Sequence, residues 1–123
     1  MADRTCLIVD DSKIVRKVMR KIIEPLGYRV IEAEDGQQAL DSFKEGSIDL
    51  VMLDWNMPVM NGLEFLKILR ARTDITQPTI IFCSTENEFA KIQEALLHGA
   101  NEYVMKPFDE EIIRGKLEQL GLL

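Results

Sequence analysis

Leu50-Val51-Met52-Leu53-Asp54-Trp55-Asn56-Met57-Pro58-Val59-Met60-Asn61-Gly62 is the stretch that decides the fold. Four apolar residues without alternation are closed by a carboxylate. A proline-bearing connection follows, and Gly62 to Arg70 then fits a helix. An unbroken apolar run suits a strand buried on both faces, as in a parallel sheet. The same unit recurs in both directions along the chain. Further apolar runs are Cys6-Leu7-Ile8-Val9, Tyr28 to Ala33, Thr79 to Cys83 and Tyr103-Val104-Met105. Ile14, Val15, Val18, Met19, Ile22 and Ile23 form a helical stripe, with Ser12 placed to cap it and Pro25-Leu26-Gly27 to stop it. Gly36 to Lys44 fits a second helix ended by Gly46, Glu86 to Leu97 a fourth ended by His98-Gly99, and Asp109 to Leu120 a fifth. Strand and helix in strict alternation predict an α/β fold, a doubly wound five-stranded parallel sheet with right-handed crossovers. The five units consume residues 1–123 as one domain, with no linker, repeat or second domain expected.

Composition narrows the function classes. The 123 residues carry 15 Lys+Arg and 21 Asp+Glu, a net charge of −6, so nucleic acid is not the expected partner. No apolar run approaches the ~20 residues of a membrane span, and the start does not read as a signal peptide. Cys6 and Cys83 both sit inside apolar runs and read as small buried hydrophobes of a reduced, cytoplasmic protein.

In open α/β sheets ligands bind beyond the carboxyl ends of the strands. The first strand ends in Asp10-Asp11, the third in Asp54, the fourth in Ser84-Thr85 and the fifth in Lys106-Pro107. The second, ending near Glu34-Asp35, is expected at the sheet margin. Three carboxylates, two hydroxyls and one ammonium therefore meet at one edge. Clustered carboxylates raise one another's pKa unless a cation intervenes. The donors are all oxygens, which suits Mg²⁺ and argues against zinc. An aspartate beside Mg²⁺ can attack phosphorus to give an acyl phosphate, and Lys106 and Ser84 can stabilise the transferred group's oxygens.

The acidic pair Asp10-Asp11, the run Asp54 to Gly62, Ser84-Thr85 and Lys106-Pro107-Phe108, in this order and spacing, resemble the receiver domain of two-component response regulators, especially the single-domain CheY-like members. The resemblance covers nearly the whole chain and implies a flavodoxin-like sheet of order 2-1-3-4-5. It implies that Asp54 accepts a phosphoryl group from a phosphohistidine on a histidine kinase or histidine phosphotransfer protein. Asp11 would ligate Mg²⁺ directly, Asp10 partly through water, and Asn56 through its backbone carbonyl. Lys106 would pair with Asp54 and the phosphoryl oxygens, across a Lys106-Pro107 bond that is cis in the family. Ser84, Thr85 and Tyr103 would form the switch, and Asn56 and Glu86 would tune hydrolysis of the acyl phosphate. Thr85 is larger than the small residue common at its position, which bears on how freely Tyr103 swings inward. The output surface would be the fourth helix, fifth strand and fifth helix, with Asn87, Ile92, Tyr103, Met105 and Lys116 contacting a phosphorylation-dependent protein target. A monomer with no effector domain is expected.

Plainer readings stand beside these. Lys106 alone would be a surface lysine, Ser84 a helix cap, Trp55 a partly buried aromatic, and His98 a helix end rather than a phosphodonor. Met57 and Met60 would pack the loop and core. Lys13, Arg16, Lys17, Arg20 and Lys21 place five cations in nine residues, an expected solvated face suited to an acidic partner. A haloacid-dehalogenase-like phosphatase uses similar groups, but places a second Asp two residues after a nucleophile that ends the first strand. A flavin carrier would need a phosphate loop where Asp10-Asp11 stands.

Overall fold

The computed structural model describes residues 4–85 and 89–123, with the backbone alone for Ser84 and Phe89. Five strands, β1 (Arg4–Val9), β2 (Tyr28–Ala33), β3 (Leu50–Leu53), β4 (Thr79–Ser84) and β5 (Glu102–Met105), alternate with five helices. These are α1 (Lys13–Ile23), α2 (Gly36–Ser42), α3 (Gly62–Arg70), α4 (Phe89–Leu97) and α5 (Glu110–Gln119). All strand pairs are parallel and the order is β2-β1-β3-β4-β5. The expected doubly wound sheet is the sheet observed.

The period-2 geometry of the strands divides the core in two. Leu7, Val9, Val51, Leu53, Ile80, Phe82 and Tyr103 face one side and pack with Ala39 of α2, Phe65, Leu66 and Leu69 of α3, and Ala95 of α4. Cys6, Ile8, Leu50, Met52, Ile81, Cys83 and Val104 face the other, against Met19, Ile22 and Ile23 of α1 and Ile113 and Leu117 of α5. The central strands are apolar on both faces because both are covered. β2 lies at the margin as expected, with Arg29 and Glu32 exposed.

Helix boundaries follow local chemistry. Ser12, Asp35, Asn61 and Asp109 each cap the following helix by accepting from the third backbone N–H beyond. Asn61 and Glu64 form a reciprocal capping box. Asp109 is thus the cap of α5 rather than its first residue. The second helix ends at Ser42, and Phe43–Glu45 form a separate 3₁₀ turn before Gly46, earlier than the expected Lys44. The start assigned at Glu86 for the fourth helix lies outside the described residues.

The first helix departs from its expected faces. Ile14 and Val18 are exposed, whereas Arg16 is buried. The Arg16 Nε donates to Glu32 at 2.9 Å and its Nη1 to the Asp10 carbonyl at 2.7 Å. Arg20 donates to Glu32 at 2.8 Å and to Glu24 at 2.9 Å. The five-cation solvated face is therefore corrected to three exposed lysines, Lys13, Lys17 and Lys21. The two arginines are neutralised by acids of β2 and of the residues after α1.

Candidate functional site

β1 and β3 are adjacent, so the residues that follow them emerge side by side. The ladder continues one step past each strand: Asp10 N–H donates to Ala33 O at 3.1 Å, and Asp54 N–H to Val9 O at 2.9 Å. Asp10 and Asp54 are both buried, Asp11 is exposed, and carboxylate oxygens of all three lie within 4.8 Å of one another. Lys106, delivered by β5, closes the cluster from the other side. Its Nζ donates to Asp10 Oδ2 at 2.7 Å and to Asp54 Oδ1 at 3.3 Å. Lys106 thus sits between two carboxylates and closer to Asp10, where the sequence pointed to Asp54 alone. Asp10 Oδ1 accepts from Ser12 N–H at 2.9 Å.

Electrostatics follow from that packing. Burial, then the neighbouring Asp10 charge, push the Asp54 carboxyl up to about 6; Lys106 pulls the other way without cancelling them. Burial also opposes the charge on Lys106, but its hydrogen bond to Asp10 and the charge of Asp54 outweigh this and raise its pKa. A carboxylate held at this cost is a group for which an added cation is favourable. Three oxygen donors so close together fit a hard divalent ion.

The connection from β3 to α3 is held tightly. Gly62 N–H donates to Trp55 O at 3.0 Å, and a Cβ on Gly62 would overlap the Asp54 carbonyl and lie 2.8 Å from the Phe82 ring. Gly36 N–H donates to Met60 O at 3.0 Å, and a Cβ on Gly36 would be 2.7 Å from the Met60 side chain. Between these anchors Met60 N–H donates to Pro58 O at 2.6 Å, turning the chain at Val59 with φ 65°. That is a γ-turn in the left-handed region, which β-branched residues strongly disfavour. Two glycines thus let the loop carrying Asn56 lie against α2 and the Asp54 backbone. Sequence reasoning missed these close approaches. Asn56 itself is exposed.

Other candidate residues are distributed as follows. Ser84 closes β4 opposite Met105, its side chain lying outside the described residues, and Thr85 is exposed. Glu86 and Asn87 lie outside them altogether. Tyr103 is buried in the core. Ile92 packs half-buried on the same core, whereas Met105 is exposed. Lys116 lies 3.5 Å from Glu102. Met57 and Met60 pack partly buried, as read from sequence. Trp55 is buried with its ring centroid 5.2 Å from that of Phe82, and the Lys91 ammonium lies 5.9 Å from the indole centroid. The Lys106-Pro107 bond is cis. Beside it an apolar groove of about 370 Å³ runs between Ile14, Val15 and Val18 of α1 and Thr85, Pro107 and Phe108. Both cysteines are free and buried. No described helix is long and apolar enough to cross a membrane.

Comparison with known proteins agrees with this geometry. The response regulator receiver domain family model matches residues 6–118. A chemotaxis protein CheY homolog of Campylobacter jejuni is 39% identical over 116 residues, covering 93% of this chain and 89% of that protein. CheY1 of Helicobacter pylori is 39% identical over 114 residues, covering 91% and 92%. The solved structure of the chemotaxis response regulator CheY4 of Vibrio cholerae superposes with a TM-score of 0.88 at 33% identity, covering 97% of this chain and 99% of that one. The dehalogenase-like alternative finds no support in these matches. With an acid cluster and a lysine at one sheet edge, the order β2-β1-β3-β4-β5 and a family match over residues 6–118, the chain belongs to the response regulator receiver domains, closely related to the CheY chemotaxis regulators, with the phosphoreceiver role of two-component systems.

Proposed function

We propose that Asp54 is the residue that accepts the phosphoryl group. The observation that carries this is the convergence of Asp10, Asp11 and Asp54 within 4.8 Å, with Lys106 bonded across two of them. Asp10, Asp11, Asp54 and the Asn56 carbonyl would hold Mg²⁺, which when bound neutralises the clustered charge and favours negative charge on phosphoryl oxygens. The chain's own groups do the rest. An Asp54 carboxylate oxygen attacks phosphorus and the P–N bond to the donor imidazole breaks; the donor ring, already protonated on its other nitrogen, takes the bonding pair and leaves as neutral imidazole. Lys106 is within reach of the site's oxygens and stabilises charge there. Ser84, at the end of β4, supplies a hydroxyl to the same group and couples it to Thr85 and Tyr103. Asn56 and Glu86 orient the water that later hydrolyses the acyl phosphate. The protein catalyses only its own phosphorylation and dephosphorylation.

The donor is a phosphohistidine on a histidine kinase or phosphotransfer protein. A helix with an apolar stripe and acidic flanks fits the groove lined by Ile14 and Val18 beside the exposed Lys13, Lys17 and Lys21. Output passes through α4, β5 and α5, including Asn87, Ile92, Tyr103, Met105 and Lys116, to a protein target. The close relatives are named as chemotaxis proteins, which favours a chemotaxis-type pathway for a monomeric, cytoplasmic regulator. Incubation with acetyl phosphate and MgCl₂ tests the reading. An alkali-labile phosphoprotein is expected from the wild type, with none in chelator or from Asp54→Ala. Undiminished labelling of Asp54→Ala refutes it.

A further inference from the structure

We propose that Arg16 is a positioning residue for the acidic site, acting through the peptide unit that joins Asp10 to Asp11. The inference rests on the reading of those two carboxylates as metal ligands. Arg16 lies in the second turn of α1, on a helix whose other described cations are half-buried or exposed, yet its own side chain is only 9% exposed. Burying a guanidinium is costly unless its donors are engaged. Here the donors are divided between two distinct tasks. Nε bonds Glu32 Oε1 at 2.9 Å, which neutralises the charge, and Nη1 bonds the Asp10 carbonyl at 2.7 Å.

That carbonyl belongs to the planar unit between the two acids. β2 cannot hold it: the ladder contact at this level is Asp10 N–H to Ala33 O, on the amide side. The next amide, Ser12 N–H, is tied to Asp10 Oδ1. Among the described residues, Arg16 therefore supplies the hydrogen bond at the carbonyl between these two anchors. Rotation of this peptide would swing the exposed Asp11 carboxylate and reorient Asp10 together. Glu32 keeps the guanidinium in place, and Arg20 in turn holds the second oxygen of Glu32 at 2.8 Å. The chain of contacts runs from the edge strand to the metal site through one side chain. Outer partners that orient ligands typically carry a 10–100-fold effect on metal affinity.

The full chain is titrated with MgCl₂, read by the fluorescence of Trp55, its only tryptophan, and by electron paramagnetic resonance with Mn²⁺. Arg16→Met is expected to raise the half-saturating metal concentration about tenfold, equivalent to about 1.4 kcal/mol. Arg16→Lys, with one compact ammonium to divide between Glu32 and the carbonyl, is expected to fall between. Arg20→Met removes the other partner of Glu32 without touching Asp10, and is expected to bind metal within twofold of wild type. Circular dichroism melts establish that each variant is folded; if Arg16→Met is not, Arg16→Lys against Arg20→Met decides. Equal metal affinity in the folded Arg16 variants and wild type overturns the inference, as does an equal loss in Arg20→Met. Absence of metal binding by the wild type fails the ligand reading itself, a separate result seen before any variant is compared.

Discussion

Asp54→Asn should stabilise the metal-free protein, and by an amount that depends on pH in a defined direction. The Asp54 carboxyl is buried beside Asp10 and titrates at about 6 in the folded chain, against an ordinary 3.8. Between those values the native state holds a proton that the unfolded chain has released. Stability therefore falls as pH rises through that window, and the deficit is complete above about pH 6. At about 1.36 kcal/mol for each pH unit the gap corresponds to about 3 kcal/mol. Solvent screening at the open rim of the site reduces this to about 2 kcal/mol. Asparagine is nearly isosteric and uncharged, so it removes the deficit. Urea unfolding in chelator should show Asp54→Asn more stable by about 2 kcal/mol at pH 8, with the advantage falling below about 1 kcal/mol at pH 4.5. Mg²⁺ at ten times its dissociation constant should return about 1.4 kcal/mol to the wild type and less to the variant. A gain that is absent at pH 8, or equal at both pH values, refutes the electrostatic reasoning.

Three further outcomes are expected. Val59→Gly removes a β-branched side chain that is 82% exposed at φ 65°; relief of the turn should raise stability by about 1 kcal/mol, seen as a rise of about 3–4 °C in Tm. Gly62→Ala puts a methyl group onto the Asp54 carbonyl and the Phe82 ring; a loss of about 3 kcal/mol or more in urea unfolding, with reduced labelling by acetyl phosphate, is the expected result. Burial pushes the Cys83 thiol up to about 12 and the Cys6 thiol higher still; neither should react with a disulfide reagent at pH 8 until urea unfolds the chain, and rapid modification of the native protein would contradict the packing described.

What the sequence determined by itself was most of what depends on period and on neighbours, with the exposed Ile14 and Val18 of α1 the exception. Unbroken apolar runs demand cover on both faces, helical stripes supply it, and alternation of the two allows a parallel sheet with strand ends gathered at one edge. Asp10, Asp54 and Lys106 were legible because each closes a run, and Ser12 was legible as a cap because its bond spans only three residues; the equally local caps at Asp35, Asn61 and Asp109 were not read. Contacts between residues distant in sequence were decided by the tertiary structure alone. Arg16 looked like one of five solvated cations because nothing local marks a partner; Glu32, a charge inside the apolar run of β2, was the available signal, but only packing α1 against β2 joins the two. Likewise Gly36 and Gly62 are required by the approach of Met60 and of the Asp54 backbone, and the position of Lys106 between two carboxylates rather than on one follows from the spacing of β1, β3 and β5. The chain encodes which groups reach the edge; their distances, and therefore their charges, are set only when the sheet closes.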